Sequence, residues 1–180
     1  MRIQTPLSFR NLKSAMQRSV LLVPDPRLKQ PCAPVEHFDA ELAGLIQDLE
    51  DTRLANTGCV GIAACQIGVL RRVAVVDTSG HKKYGGQSQG RIVLVNPVIT
   101  RREGERLGRE GCLSLPDFTA NVRRAAEVTV LFQDETGQKC ELTAADFEAV
   151  VLQHELDHLD GILFLDRVAS LTTDVFPRKR

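Results

Sequence analysis

The sequence predicts an α+β fold: mostly antiparallel strands packed around a central C-terminal helix, with an amphipathic helix nearer the N-terminus. Three observations point there. A helical apolar pattern occupies residues 39–56, short β-branched runs bounded by turn residues follow, and a second helical stretch comes after them. Strands gathered between two helices, without strict alternation, favour α+β over α/β. With 180 residues, 43% hydrophobic and 26% charged, the chain reads as one globular domain able to bury a real core.

The elements follow in order. Asp39 is placed to cap a helix in which Leu42, Leu45, Ile46 and Leu49 keep the i, i+3, i+4, i+7 spacing, ending near Asn56-Thr57-Gly58. Strands are expected over residues 72–77 and 91–96, the second stopped by Pro97, with a mobile loop over 78–90 between them. Residues 127–133 are rich in β-branched side chains, and Asp134-Glu135-Thr136-Gly137 suggests a turn into a strand at 139–142. Thr143 and Asp146 resemble a capping box for the last helix, and Gly161 fits a left-handed stop. Within that helix Phe147, Val150, Val151, His154 and His158 form one stripe, and Leu152, Leu156 and Leu159 another. A helix apolar on two sides belongs in the middle of a domain.

The chemistry concentrates in that helix. His154 and His158 are four apart, so both can reach one ion from one face, with Glu155 beside them as a general base. The plainer alternative is a buried helix with two hydrogen-bonded histidines. A catalytic site needs a third protein ligand and an open position. Downstream of His158 the acids Asp160, Asp166 and Asp174 stand at no persuasive spacing, which weakens a zincin-type protease. Upstream, Cys112 in Glu110-Gly111-Cys112-Leu113-Ser114 is the better candidate, and a thiolate with two imidazoles suits Zn²⁺ or Fe²⁺. Its alternative role is a small core hydrophobe.

Three segments together resemble the motifs of the peptide deformylases: Cys59-Val60-Gly61-Ile62-Ala63-Ala64-Cys65-Gln66, the EGCLS stretch, and QHELDHLDG from Gln153 to Gly161. They stand in that family's order, and the similarity covers about residues 19–168. The resemblance implies a hydrolase that removes the formyl group from the formylmethionine of new polypeptides and releases formate. It implies Cys112, His154 and His158 as ligands of one divalent ion, Fe²⁺ as the active one, with Zn²⁺, Ni²⁺ or Co²⁺ able to substitute. Glu155 would move the proton, while the Gln66 amide and the Leu113 N–H would hold the oxyanion. Gly61 would offer backbone bonds to an extended peptide, and Val60, Val150 and Val151 would line the methionine pocket. Cys59 stands where the family's first motif carries glycine, although Gly58 precedes it. That departure motivates a second reading, a deformylase-like protein with a lost or altered substrate.

Formyl-Met nascent peptides are the implied partners, and a transient ribosome contact is a further expectation. The formal net charge of zero gives no case for specific nucleic-acid binding. No apolar stretch reaches the length of about 20 residues that a membrane-spanning helix needs. Five scattered cysteines do not read as a disulfide framework and favour a reducing, cytoplasmic setting. Residues 1–18 read as an extension: Arg2, Arg10, Lys13 and Arg18 precede the first acid, Asp25, a composition shared with organelle-targeting leaders. The blander alternative makes Met16 the start of the common core. Residues 19–168 form the catalytic domain, and 169–180 a short basic tail.

Overall fold

The computed structural model describes residues 17–82 and 88–178. In order the elements are α1 (Ala40–Ala55), β1 (Gly61–Ala63), β2 (Val73–Asp77), β3 (Arg91–Glu103), β4 (Arg106–Cys112), β5 (Leu115–Arg124), β6 (Glu127–Gln133), β7 (Lys139–Ala145), α2 (Asp146–Leu159) and β8 (Val175–Pro177). Five strands form one sheet in the order β1-β2-β3-β6-β7, and β4-β5-β8 form a second. Every ladder in both sheets is antiparallel, as the α+β expectation required.

The five-stranded sheet lies between the helices. Val73, Val75, Val93 and Val95 pack with Leu42, Ile46 and Leu49 of α1. Their neighbours Ala74, Val76, Ile92 and Leu94 pack with Ala149, Leu152, Leu156 and Leu159 of α2. Successive strand residues point to opposite faces, so a strand covered on both sides must be apolar throughout, which explains the unbroken Val-Ala-Val-Val run. The α1 cap is as expected: the Asp39 carboxylate accepts from the N–H groups of Glu41 and Leu42 at 3.0 and 3.2 Å. Of the four expected apolar positions, Leu42, Ile46 and Leu49 are buried and Leu45 is half-buried.

Two expectations need correction. Pro97 does not stop β3, which runs on to Glu103. Asn96 takes φ +51°, and the register with β6 shifts between Val95 and Val98. The prolyl nitrogen, which cannot donate, therefore falls in a bulge. The Asn96 side chain holds that bulge, accepting from Val35 N at 2.8 Å and donating to Val35 O at 2.9 Å. Thr143 is not the cap of α2: it lies in β7, its hydroxyl 3.0 Å from that of Thr129 across the ladder. No side chain caps α2; the Asp146 N–H instead donates to Ala126 O at 2.8 Å.

The last helix ends as expected, with Gly161 at φ +72°. A side chain there would also meet the Lys29 backbone at 2.8 Å. Of the expected loop, residues 83–87 lie outside the described ones; its flanks are tied to α2, since the buried Glu148 carboxylate accepts from Thr78 Oγ1, Ser88 Oγ and Gln89 N at 3.0–3.1 Å. Residues 1–16 of the expected extension also lie outside; Arg18 pairs with Asp48 of α1 at 2.8 Å. No helix of the described residues is long and apolar enough to cross a membrane.

Candidate metal centre and active site

The centre sits where α2 passes between the two sheets. Every α2 residue from Glu148 to Leu159 is buried, so the polar side chains of its middle turns must find partners inside the protein. The four-residue spacing brings His154 and His158 together with ring centroids 4.8 Å apart, edge to face. Cys112, the last residue of β4, meets them from the second sheet, with His158 Nε2 3.2 Å from its sulfur. The donor atoms of Cys112, His154 and His158 all lie within 4.8 Å of one another.

These residues fit a divalent ion. A thiolate and two imidazoles suit Zn²⁺ or Fe²⁺. Burial works against the Cys112 thiolate, but the imidazoles of His158 and His154 outweigh it and hold the thiol well below its ordinary value. Beside them, Glu155 Oε2 and His158 Nδ1 are buried without a partner among the described residues. An unpartnered carboxylate oxygen in a closed site suits a group that takes up a proton.

The network behind His154 was not foreseen. Glu110, quoted as a motif letter but given no role, accepts from His154 Nδ1 at 2.8 Å. It also accepts two bonds from Arg124, at 2.8 and 3.1 Å. Arg124 reaches on to Asp157, which is paired with Arg167 at 2.7 Å. Burial pushes the Glu110 carboxyl up, yet the bonds from His154 and Arg124 bring it down to about 2. A carboxylate on Nδ1 fixes the ring and would direct Nε2 towards an ion held by the triad, the usual outer support of a histidine that ligates a metal. The alternation along β4 carries the signal: Glu110 and Cys112 both turn inward.

The remaining predicted residues converge on the same place. Gln66 sits in a single turn of 3₁₀ helix, Ala64–Ile67, that Gly68 ends at φ +83°. Its Oε1 accepts from Ala63 N at 3.0 Å, and its Nε2 donates to Ser114 Oγ at 3.2 Å and towards the Cys112 sulfur at 3.4 Å. The amide thus has its NH₂ side facing Cys112. A cleft of about 340 Å³ opens in front of the triad, and Val60, Gly61, Leu113, Val150, Val151 and Glu155 all line it. Phe147 and His81, with rings 4.5 Å apart, extend its apolar wall. The sequence reading placed neither at the site.

Cys59 also lines this cleft. The positive φ of the loop, +81°, falls on Gly58, where a side chain would meet nothing within 4 Å. Cys59 itself turns back and donates from its sulfur to Gly61 O at 3.1 Å. Burial lifts its thiol to about 12, so it is a neutral wall residue.

The profile of the polypeptide deformylase family matches residues 17–174. The chain belongs to that family. It is 43% identical over 156 residues to a peptide deformylase of Thermodesulfovibrio yellowstonii, covering 87% of this chain and 92% of the relative. With a peptide deformylase of Heliobacterium modesticaldum it shares 45% over 151 residues, or 84% and 93% of the two chains. The crystal structure of a peptide deformylase from Legionella pneumophila superposes with a TM-score of 0.79 at 44% identity, over 87% of this chain and 88% of that one. The Met-Ala-Ser-bound class I type b peptide deformylase of Acinetobacter baumannii gives 0.80 at 34% identity, over 86% and 100%. These relatives are matched through most of their length.

Proposed function

We propose that this chain is a metal-dependent peptide deformylase, removing the formyl group from N-terminal formylmethionine and releasing formate. The observation that carries the reading is the convergence of the Cys112, His154 and His158 donor atoms within 4.8 Å, with the buried Glu155 beside them and a cleft in front. An ion bound at this triad would polarise the formyl carbonyl and lower the pKa of its water towards about 7.

The chain's own residues would do the rest. Glu155 takes the proton of the attacking water and returns it to the departing methionine nitrogen. Burial raises the Glu155 carboxyl above its ordinary range, despite the opposing pull of His154 and His158, and so brings it nearer the pH at which it has to exchange that proton. The Gln66 NH₂ and the Leu113 N–H are the candidate donors for the developing oxyanion, a role commonly worth about 10²–10³ in rate. Gln66 supports this by its locked orientation, since an amide already held by Ala63 need not reorganise.

Val60, Val150, Val151 and Phe147 offer the apolar surface for the methionine side chain. The edges of β1 and β4 offer backbone groups to an extended peptide, with Gly61 on one side. The Met-Ala-Ser carried by the Acinetobacter baumannii relative supports a short peptide as ligand. Fe²⁺ is proposed as the active ion, with Zn²⁺, Ni²⁺ or Co²⁺ as substitutes, and the cytoplasm as the setting. Cys59 does not favour the altered-substrate reading, because its side chain is tied to Gly61 O in the cleft wall and the positive φ falls on Gly58.

The test is formate release from a short formyl-Met peptide by protein loaded anaerobically with Fe²⁺. Release from the formyl peptide and none of acetate from its acetylated counterpart is expected. A metal-loaded protein that releases no formate would overturn the reading.

A further inference from the structure

We propose that Arg109 and Arg178 form a cationic rim on the substrate groove, selecting formylated peptides that carry a carboxylate two or three residues after the methionine. The inference rests on the deformylase reading and gives that site a substrate preference.

Both arginines line the cleft that holds the triad, and they come from distant parts of the chain. Arg109 lies on β4, three residues before Cys112. Arg178 follows β8, which pairs with β5 through Phe118 opposite Pro177, Thr119 opposite Phe176 and Ala120 opposite Val175. Arg178 is thereby built into the wall of the site. The Arg109 guanidinium stands 3.6 Å from the centroid of the Phe176 ring, and its Nη1 donates to Thr119 Oγ1 at 3.3 Å. A guanidinium stacked on an aromatic ring is held in place by that contact.

Arg178 is fixed through its backbone, donating to Asp117 O at 2.8 Å. Its guanidinium carbon lies 3.8 Å from where a Cβ on Gly111 would stand, so it extends across a strand position that carries no side chain. Both arginines are exposed. Among the described residues lining the cleft, the carboxylates are those of Glu110 and Glu155, both buried. Glu110 is already bound by Arg124 and His154. Neither acid neutralises the rim, so the groove presents positive potential where it opens to water.

The spacing sets the substrate position. Residues Arg109 to Leu113 line the cleft in succession, along a strand that is an edge of its sheet. At about 3.3 Å per residue, Arg109 stands roughly 10 Å along the strand from Cys112. A peptide extended beside β4 with its formyl group at the triad brings its second or third following residue to that point. The Arg109 guanidinium there, with that of Arg178 over Gly111 on the Cys112 side of it, offers charge and donor geometry suited to a carboxylate.

The test compares C-terminally amidated formyl-Met-Ala-Glu, formyl-Met-Ala-Gln and formyl-Met-Ala-Lys on metal-loaded protein. Exposed ion pairs are weak, so a kcat/KM for Glu about three- to tenfold above that for Gln is expected, carried in KM. Lys should fall below Gln. The Glu-to-Gln ratio should shrink towards one in high salt and in the R109Q/R178Q variant. Calorimetric binding of the unformylated Met-Ala-Glu and Met-Ala-Gln amides should give the same ratio without turnover. Equal kcat/KM and equal affinity for the Glu and Gln peptides would overturn the rim while leaving the deformylase reading intact. A preference that persists unchanged in the double variant would overturn it as well. Charge-dependent binding with no formate from any peptide would support the rim and overturn the deformylase reading.

Discussion

Gly61 and Glu155 are packed so closely that a Cβ on Gly61 would lie 2.6 Å from Glu155 Oε1 and 2.9 Å from both Cγ and Cδ. The glycine therefore supplies the room in which the candidate general base sits. That requirement is distinct from left-handed backbone, since Gly61 is absent from the glycines of positive φ.

Gly61→Ala should displace the Glu155 carboxyl while leaving Cys112, His154 and His158 in place. A misplacement near 1 Å commonly costs about 10²-fold in rate. The expected result is full metal content with kcat lowered by about that factor. Retention of the wild-type kcat would mean that Glu155 is not constrained by this contact.

Glu155→Gln separates chemistry from folding. The carboxyl is buried and its Oε2 has no partner among the described residues, so the charged form is costly in the metal-free protein. A neutral amide of the same shape removes that cost. Turnover should fall by about 10²–10⁴, while the Tm of the metal-free variant equals or exceeds that of the wild type. Calorimetry beside a formate assay reads both, and wild-type turnover would remove Glu155 from the mechanism.

The residues that could be read from sequence are those whose partners are near in the chain. Asp39 caps α1 through N–H groups two and three residues on, and Gly161 ends α2 through its own φ. The triad was legible because helical spacing joins His154 to His158 and because the motif around Cys112 resembles a known one. What escaped depends on distant partners. Asn96 makes the bulge that carries β3 past Pro97 only because Val35, 61 residues away, fills its amide. Thr143 looks like a cap until Thr129 is seen opposite it. The alternation of β4 turns Glu110 inward with Cys112, but Glu110 acquires its role only from His154 and Arg124, 44 and 14 positions away.

Glu110→Gln tests that role. The amide can still accept from His154 or from Arg124, but the buried Arg124 guanidinium loses the charge of its bidentate partner. Loss of such outer support typically weakens metal binding about 10–100-fold. Chelator competition should show that decrease, with a lowered Tm because a buried ion pair has been broken. Unchanged affinity would mean that His154 is held by its packing alone.

Cys59 gives a prediction that depends on pH. Its thiol donates to Gly61 O and is raised to about 12, with burial as the largest cause and the nearby Glu155 charge next. Only the thiolate reacts with alkylating reagents. At pH 8 the thiolate fraction is therefore on the order of 10⁻⁴, and it rises about tenfold with each further pH unit. Iodoacetamide mapped by mass spectrometry should leave Cys59 unmodified in the native protein at pH 8, and its rate should climb without a plateau through pH 10. A plateau near pH 9 would show an ordinary thiol, and with it a side chain swung away from Gly61 and open to the cleft.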